Sequence, residues 1–152
     1  MTSGAERIRV LFVCTGNSAR SIMAEALLRQ HGKDRFEVFT ARTDPRGVNT
    51  LTLRVLGDAG IDASWARSKS VQEFIGQPFD YVITVCDQAR EACPLFPGAQ
   101  GSLHWGYDDP AEATGSDEER LAVFRRVFTA IGERVQLFST VATRAARESQ
   151  PI

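Results

Sequence analysis

Cys14 and Arg20 bracket the segment Thr15-Gly16-Asn17-Ser18-Ala19, after the apolar run Val10-Leu11-Phe12-Val13 and before Ser21-Ile22-Met23-Ala24-Glu25-Ala26-Leu27-Leu28. A thiol is thus placed at a strand-to-helix turn. Backbone N–H groups of such a loop can wrap a tetrahedral oxyanion, and the positive end of the helix dipole favours both that anion and an ionised sulfur. Arg20 closes the ring, because its planar fork can take two oxygens at once. A C-x5-R spacing also arises by chance, and a cysteine in an apolar run is commonly a small buried hydrophobe. The preceding strand, Gly16-Asn17 within the loop and the helix after it favour a cysteine nucleophile aimed at a bound oxyanion, with residues 15–21 as the binding loop. Ser21 is placed to hydrogen-bond the thiolate, although a serine also suits the first turn of a helix.

Two further groups of residues could take part. Cys86 and Cys93 are separated by Asp87-Gln88-Ala89-Arg90-Glu91-Ala92 and can form a disulfide only if that segment folds back. They can equally be two unrelated thiols, or contribute to zinc binding with His104, although no CxxC pair is present. A redox pair is the preferred reading, because Cys86 ends a strand at the same rim as Cys14. Asp108-Asp109-Pro110 can be no more than a turn. Combined with the thiol loop, Asp109 becomes the candidate general acid for a departing oxygen, since a neighbouring carboxylate and a bound anion both raise a carboxyl pKa. Trp105 and Tyr107 read as packing at the rim.

The elements that must hold these residues follow from periodicity. Residues 8–13 read as a buried strand, and the next helix runs to about His31 with Gly32 as its C-terminal cap. A shorter strand spans 36–40. Asn49 caps a helix carrying Leu53, Val55, Leu56 and Ala59, ended by Gly60. Residues 79–85, after Pro78, are β-branched and aromatic almost throughout and form the best strand signal after the first. A weaker strand spans 101–105. Ser116 with Glu119 makes a capping box for a last helix whose Leu121, Phe124, Val127, Phe128, Ile131, Val135 and Phe138 repeat at helical spacing, with Arg144 and Arg147 near its C-terminal end. Alternating strands and helices imply a parallel sheet with helices on both faces. Ligands of such sheets bind beyond the carboxyl ends of the strands, where Cys14, Cys86 and Asp109 converge.

Bulk composition sets limits on this reading. The chain has 152 residues, 43% hydrophobic and 24% charged, with a formal net charge of −1. That size suits one domain over 1–152 with short flexible ends at about 1–6 and 147–152. The charge balance argues against nucleic-acid binding. No stretch approaches the roughly 20 apolar residues that cross a membrane, and no signal region precedes Arg7, so a cytoplasmic protein is expected. Three cysteines, an odd count, read as reduced thiols with chemical work rather than as structural bridges.

The loop Cys14-Thr15-Gly16-Asn17-Ser18-Ala19-Arg20-Ser21 followed by Met23-Ala24-Glu25 resembles the low-molecular-weight protein tyrosine phosphatase superfamily over about residues 8–140. Val85-Cys86 through Cys93-Pro94, and then His104-Trp105-Gly106-Tyr107-Asp108-Asp109-Pro110, looks like its thioredoxin-coupled arsenate reductase branch. The resemblance implies a single domain with a four-stranded parallel sheet, arsenate as substrate and thioredoxin as external reductant. It implies no tightly bound cofactor, no metal and a monomer. It also implies a relay in which Cys14 attacks arsenic(V), Asp109 protonates the leaving oxygen, Cys86 attacks the Cys14 sulfur, and Cys93 passes the oxidation outward.

The chain departs from that pattern in three places. Ala19 stands where many phosphatases carry a second cysteine. Arg42, where relatives usually have glycine, is expected at the mouth of the site, adding an anion contact or narrowing access. Lys69 stands where some reductases have an acid that helps hold potassium, and its ammonium argues against a cation there. The alternative activity is a phosphatase acting on phosphotyrosine or small phosphoesters. Asp109-Pro110-Ala111-Glu112 lacks the aromatic pair tyrosine phosphatases place after this Asp, and Cys86 and Cys93 would have no task in that chemistry. A non-catalytic oxyanion-binding or arsenic-binding module is the third class, against which the set Cys14, Arg20 and Asp109 argues.

Overall fold

The computed structural model describes residues 7–14, 20–42, 49–62, 69–85, 101–107 and 110–148. Four strands, β1 (Ile8–Cys14), β2 (Phe36–Arg42), β3 (Tyr81–Thr84) and β4 (Gly101–His104), form one all-parallel sheet in the order β2-β1-β3-β4. The central strand β1 is apolar at nearly every position because both of its faces are covered. Ile8, Val10, Phe12 and Cys14 join one core cluster, while Leu11 and Val13 join the other.

The helices α1 (Arg20–Gly32), α2 (Thr50–Asp58) and α3 (Asp117–Glu148) all contribute to the first cluster. Among the described residues, the opposite face is covered by Val71 and Phe74 of a short 3₁₀ turn together with Phe79 and the partly buried Phe39. Residues 20–28 of α1 are buried without interruption, so this helix lies under cover on every side instead of presenting one apolar stripe. The stripe expected on α3 lines the core, with Phe128 only partly buried. Phe138 meets Phe36, Tyr81 and Trp105 with ring centroids 6.0, 5.1 and 5.6 Å away.

The caps follow from side-chain chemistry. Asn49 Oδ1 accepts from the Leu51 N–H at 2.8 Å. The Ser116 N–H donates to Glu119 Oε1 at 3.0 Å while Ser116 Oγ accepts from the Glu119 N–H at 3.1 Å. Gly60, with φ +75°, adopts the left-handed conformation after α2.

Gly32 departs from expectation. It keeps right-handed helical dihedrals and the left-handed residue is Lys33, at φ 51°. A Cβ on Gly32 would collide with the Phe36 ring, so the glycine admits the first side chain of β2. Other differences are local. β2 runs two residues beyond the expected 36–40, because Ala41 and Arg42 pair with Val13 and Cys14. β3 is shorter than 79–85, and β4 ends at His104. Leu53 is 41% exposed, since only Thr52, Val55 and Leu56 of α2 turn inward. α3 continues through Glu148, so 147 and 148 are helical and not part of a flexible end.

Candidate active site

Parallel strands place their carboxyl ends on one edge of the sheet. Cys14 ends β1 on that edge and Arg20 opens α1, so thiol and guanidinium flank the turn between the central strand and its helix. Cys14 is fully buried and Arg20 is 4% exposed. The Arg20 Nη1 donates to the backbone carbonyl of Tyr107 at 2.5 Å, which ties the start of α1 to the segment that follows β4. Thr84, ending β3, and His104, ending β4, share a hydrogen bond of 2.7 Å between Oγ1 and Nδ1 on the same edge.

A second guanidinium lies among these groups. Arg42 ends β2 in register with Cys14 and is fully buried, with its Nε 3.4 Å from Ser21 Oγ. Burial shows it turned into the protein, beside the thiol it was expected to border. Burial lowers its pKa from the ordinary arginine value, while the negative charges of Cys14 and Glu25 pull it back up. A guanidinium stays protonated under any such shift.

One turn along α1, Glu25 is 1% exposed, with Oε2 paired to Arg29 Nη2 at 2.5 Å. Burial raises its carboxyl above the ordinary range, opposed by Arg29, Lys69 and Arg42. Lys69 Nζ also sits 5.9 Å from the Phe74 ring centroid, and the Lys69 carbonyl accepts from the Arg42 N–H at 2.6 Å. Among the described residues, Arg20, Arg29, Arg42 and Lys69 against Glu25 leave this cluster rich in positive charge, which suits an ionised sulfur and an oxyanion.

Trp105 is buried between Phe12 and Phe138, as a packing residue should be. The Tyr107 hydroxyl is buried with no hydrogen-bond partner, and burial raises its pKa. Cys14, Arg20 and Ser21 are thus brought to one place. Thr15, Gly16, Asn17, Ser18, Ala19, Cys86, Cys93, Asp108 and Asp109 lie outside the described residues. Among the described residues no group of three or more His, Cys, Asp or Glu could hold a metal ion, and no helix is long and apolar enough to cross a membrane. Sequence reasoning missed the Glu25–Arg29 pair and the inward course of Arg42. The i,i+4 spacing of Glu25 and Arg29 signalled the first; the second follows from the pairing of Ala41 and Arg42 with Val13 and Cys14.

Comparison with known proteins agrees with this arrangement. The low molecular weight phosphotyrosine protein phosphatase profile matches residues 9–149. An arsenate reductase of Halalkalibacterium halodurans is 41% identical over 130 residues, covering 86% of this chain and 94% of that protein. The arsenate reductase of Bacillus subtilis is 38% identical with the same coverage. Among solved structures, an arsenate reductase in the oxidized state superimposes with a TM-score of 0.74 at 26% identity, over 87% of this chain and 96% of that one. A thioredoxin-dependent arsenate reductase of Corynebacterium glutamicum gives 0.67 at 26% identity, over 96% of this chain and 65% of that one.

Proposed function

The chain belongs to the low molecular weight phosphotyrosine protein phosphatase family, and from that premise we propose that it reduces arsenate to arsenite, with thioredoxin as reductant. The observation that carries the reading is the buried Cys14 ending the central strand with Arg20 opening the next helix. Relatives named arsenate reductase, matched over 94% of their length, support the choice of oxyanion.

In the proposed reaction the Cys14 thiolate attacks arsenic(V), which the amides of 15–21 and the Arg20 guanidinium hold. Asp109 gives a proton to the oxygen that leaves, which departs as water. The Cys86 thiolate then attacks Cys14 Sγ. The sulfur–arsenic bonding pair passes to arsenic, which leaves as arsenite(III), and a Cys14–Cys86 disulfide remains. Cys93 attacks Cys86 and frees the Cys14 thiolate. Thioredoxin reduces the resulting Cys86–Cys93 disulfide and is oxidised in turn.

Phosphoryl transfer to Cys14 would use the same first step but ends in hydrolysis, since a thiol does not reduce phosphorus(V). The test is arsenite release from arsenate with thioredoxin, thioredoxin reductase and NADPH, run beside p-nitrophenyl phosphate hydrolysis. Reduction is expected in the parent. In Cys86→Ser arsenite production is expected to stop while any phosphatase activity remains. Sustained arsenite production by Cys86→Ser with thioredoxin alone would sink the reading.

A further inference from the structure

Arg42 is a fully buried guanidinium at the end of a strand whose inward positions below it are the buried Thr40 and the apolar Val38 and Phe36. An arginine so placed is costly unless it meets negative charge and hydrogen-bond acceptors. Its register partner on the neighbouring strand is Cys14. Partnered residues of parallel strands point to the same face, and adjacent strands lie about 4.8 Å apart. Phe36 and Val38, partnered with Ile8 and Val10, share that face and the same core cluster. The Arg42 Nε reaches Ser21 Oγ, 3.4 Å away in the first turn of α1.

We propose that Arg42 is a positioning residue that keeps the Cys14 sulfur ionised and turns the Ser21 hydroxyl towards it. The proposal rests on the reading of Cys14 as the nucleophile. Arg42 donates to the Ser21 oxygen, which leaves the Ser21 hydrogen available to the sulfur. The electrostatics agree: Cys14 opposes the burial-driven lowering of the Arg42 pKa more strongly than Glu25 does. Among the described residues, the titratable groups facing this cluster are Arg20, Glu25 and Arg29 from α1 and Lys69 from the segment after α2, and Glu25 is paired with Arg29. Cys14, the register partner of Arg42, is thus a negative charge that favours the buried guanidinium.

The test measures alkylation of Cys14 by iodoacetamide against pH, resolved by peptide mass spectrometry, in the parent, Arg42→Met, Arg42→Gln and Arg42→Lys. Methionine fills the buried volume without charge, so it is the variant most able to fold; glutamine is the second neutral variant. Either neutral variant should raise the Cys14 pKa by about 1 unit or more, the usual effect of removing a close opposite charge. Alkylation below both pKa values should slow about tenfold per unit of that rise. Lysine should recover most of the shift. A folded neutral variant with the parental Cys14 pKa would overturn the proposal, even with a lowered melting temperature, because that is the signature of a merely structural arginine. Lysine raising the pKa as far as methionine does would also overturn it. The readout needs no arsenate. A parent that alkylates as expected but fails to reduce arsenate would count against the proposed activity and leave the role of Arg42 standing.

Discussion

At the scale of single residues, the chemistry depends on keeping a buried sulfur ionised. Cys14 is fully buried, and burial alone disfavours a thiolate. Its surroundings must supply compensating positive charge, and Arg20, Arg42, Arg29 and Lys69 outnumber Glu25 there. Cys14→Ser is therefore expected to remove reductase activity and any phosphatase activity, because an alcohol stays protonated in this setting. Oxyanion binding, followed by calorimetry with arsenate, should persist; turnover near the parental rate would refute the assignment. Asp109→Asn should slow adduct formation by about 10²–10⁴-fold in rapid-mixing experiments, the usual contribution of a positioned acid, with Asp108→Asn affecting it less. Reversed effects would assign the acid to Asp108.

Glu25 offers a test through stability. Its carboxyl pKa is raised in the folded chain by burial. A group of that kind stabilises fully below its unfolded value, about 4.5, and that stabilisation is lost as pH rises through the folded value. The difference in melting temperature between Glu25→Gln and the parent should thus move in favour of the variant from about pH 4.5 towards neutrality. A difference that stayed flat or moved the other way would contradict the raised carboxyl.

At the scale of elements, β1 and α3 do most to hold the site still. Phe138 of α3 locks onto Phe36, Tyr81 and Trp105, so the helix ties β2, β3 and the residue after β4 together. Phe138→Ala should cost about 3–5 kcal/mol, seen as a lower urea midpoint with an unchanged slope. These elements were readable from the chain because their signals are long: a strand apolar at nearly every position, and a helical stripe opened by the Ser116–Glu119 box. The end of β2 was not. The apolar and β-branched signal of 36–40 stops at Thr40, and Ala41 and Arg42 are drawn into the strand by pairing with Val13 and Cys14, a tertiary effect no local window contains. That two-residue extension is also what carries Arg42 inward, so the same missing information concealed a charge of the site. Gly32 is a related case. Its type was noticed, but the need for it lies in the Phe36 ring. The thiol loop could be recognised because Cys14, Arg20 and Ser21 are close in sequence. The Arg20 contact with the Tyr107 carbonyl joins distant segments through a backbone atom that residue type does not announce.

At the scale of the whole molecule, the proposed relay divides labour between a fixed sheet edge and the segment joining β3 to β4. Tyr81–Thr84 pairs with Gly101–His104, and β3 with β1, and in the proposed relay electrons pass inward from thioredoxin to the buried Cys14 by way of Cys93 and Cys86. That proposed relay gives Cys93 no part in reducing arsenic and a necessary part in resetting the enzyme. Because a Cys86–Cys93 disulfide requires the intervening residues to fold back, hydrogen exchange between 86 and 97 should be faster in the oxidised parent than in the reduced one. The most direct measurement is the stoichiometry of arsenite released by reduced Cys93→Ser with excess arsenate and thioredoxin, followed by peptide mapping. The account predicts about one equivalent and then arrest with Cys14 joined to Cys86, against multiple turnover and a Cys86–Cys93 disulfide in the parent. Continued multiple turnover by Cys93→Ser would contradict the three-cysteine relay.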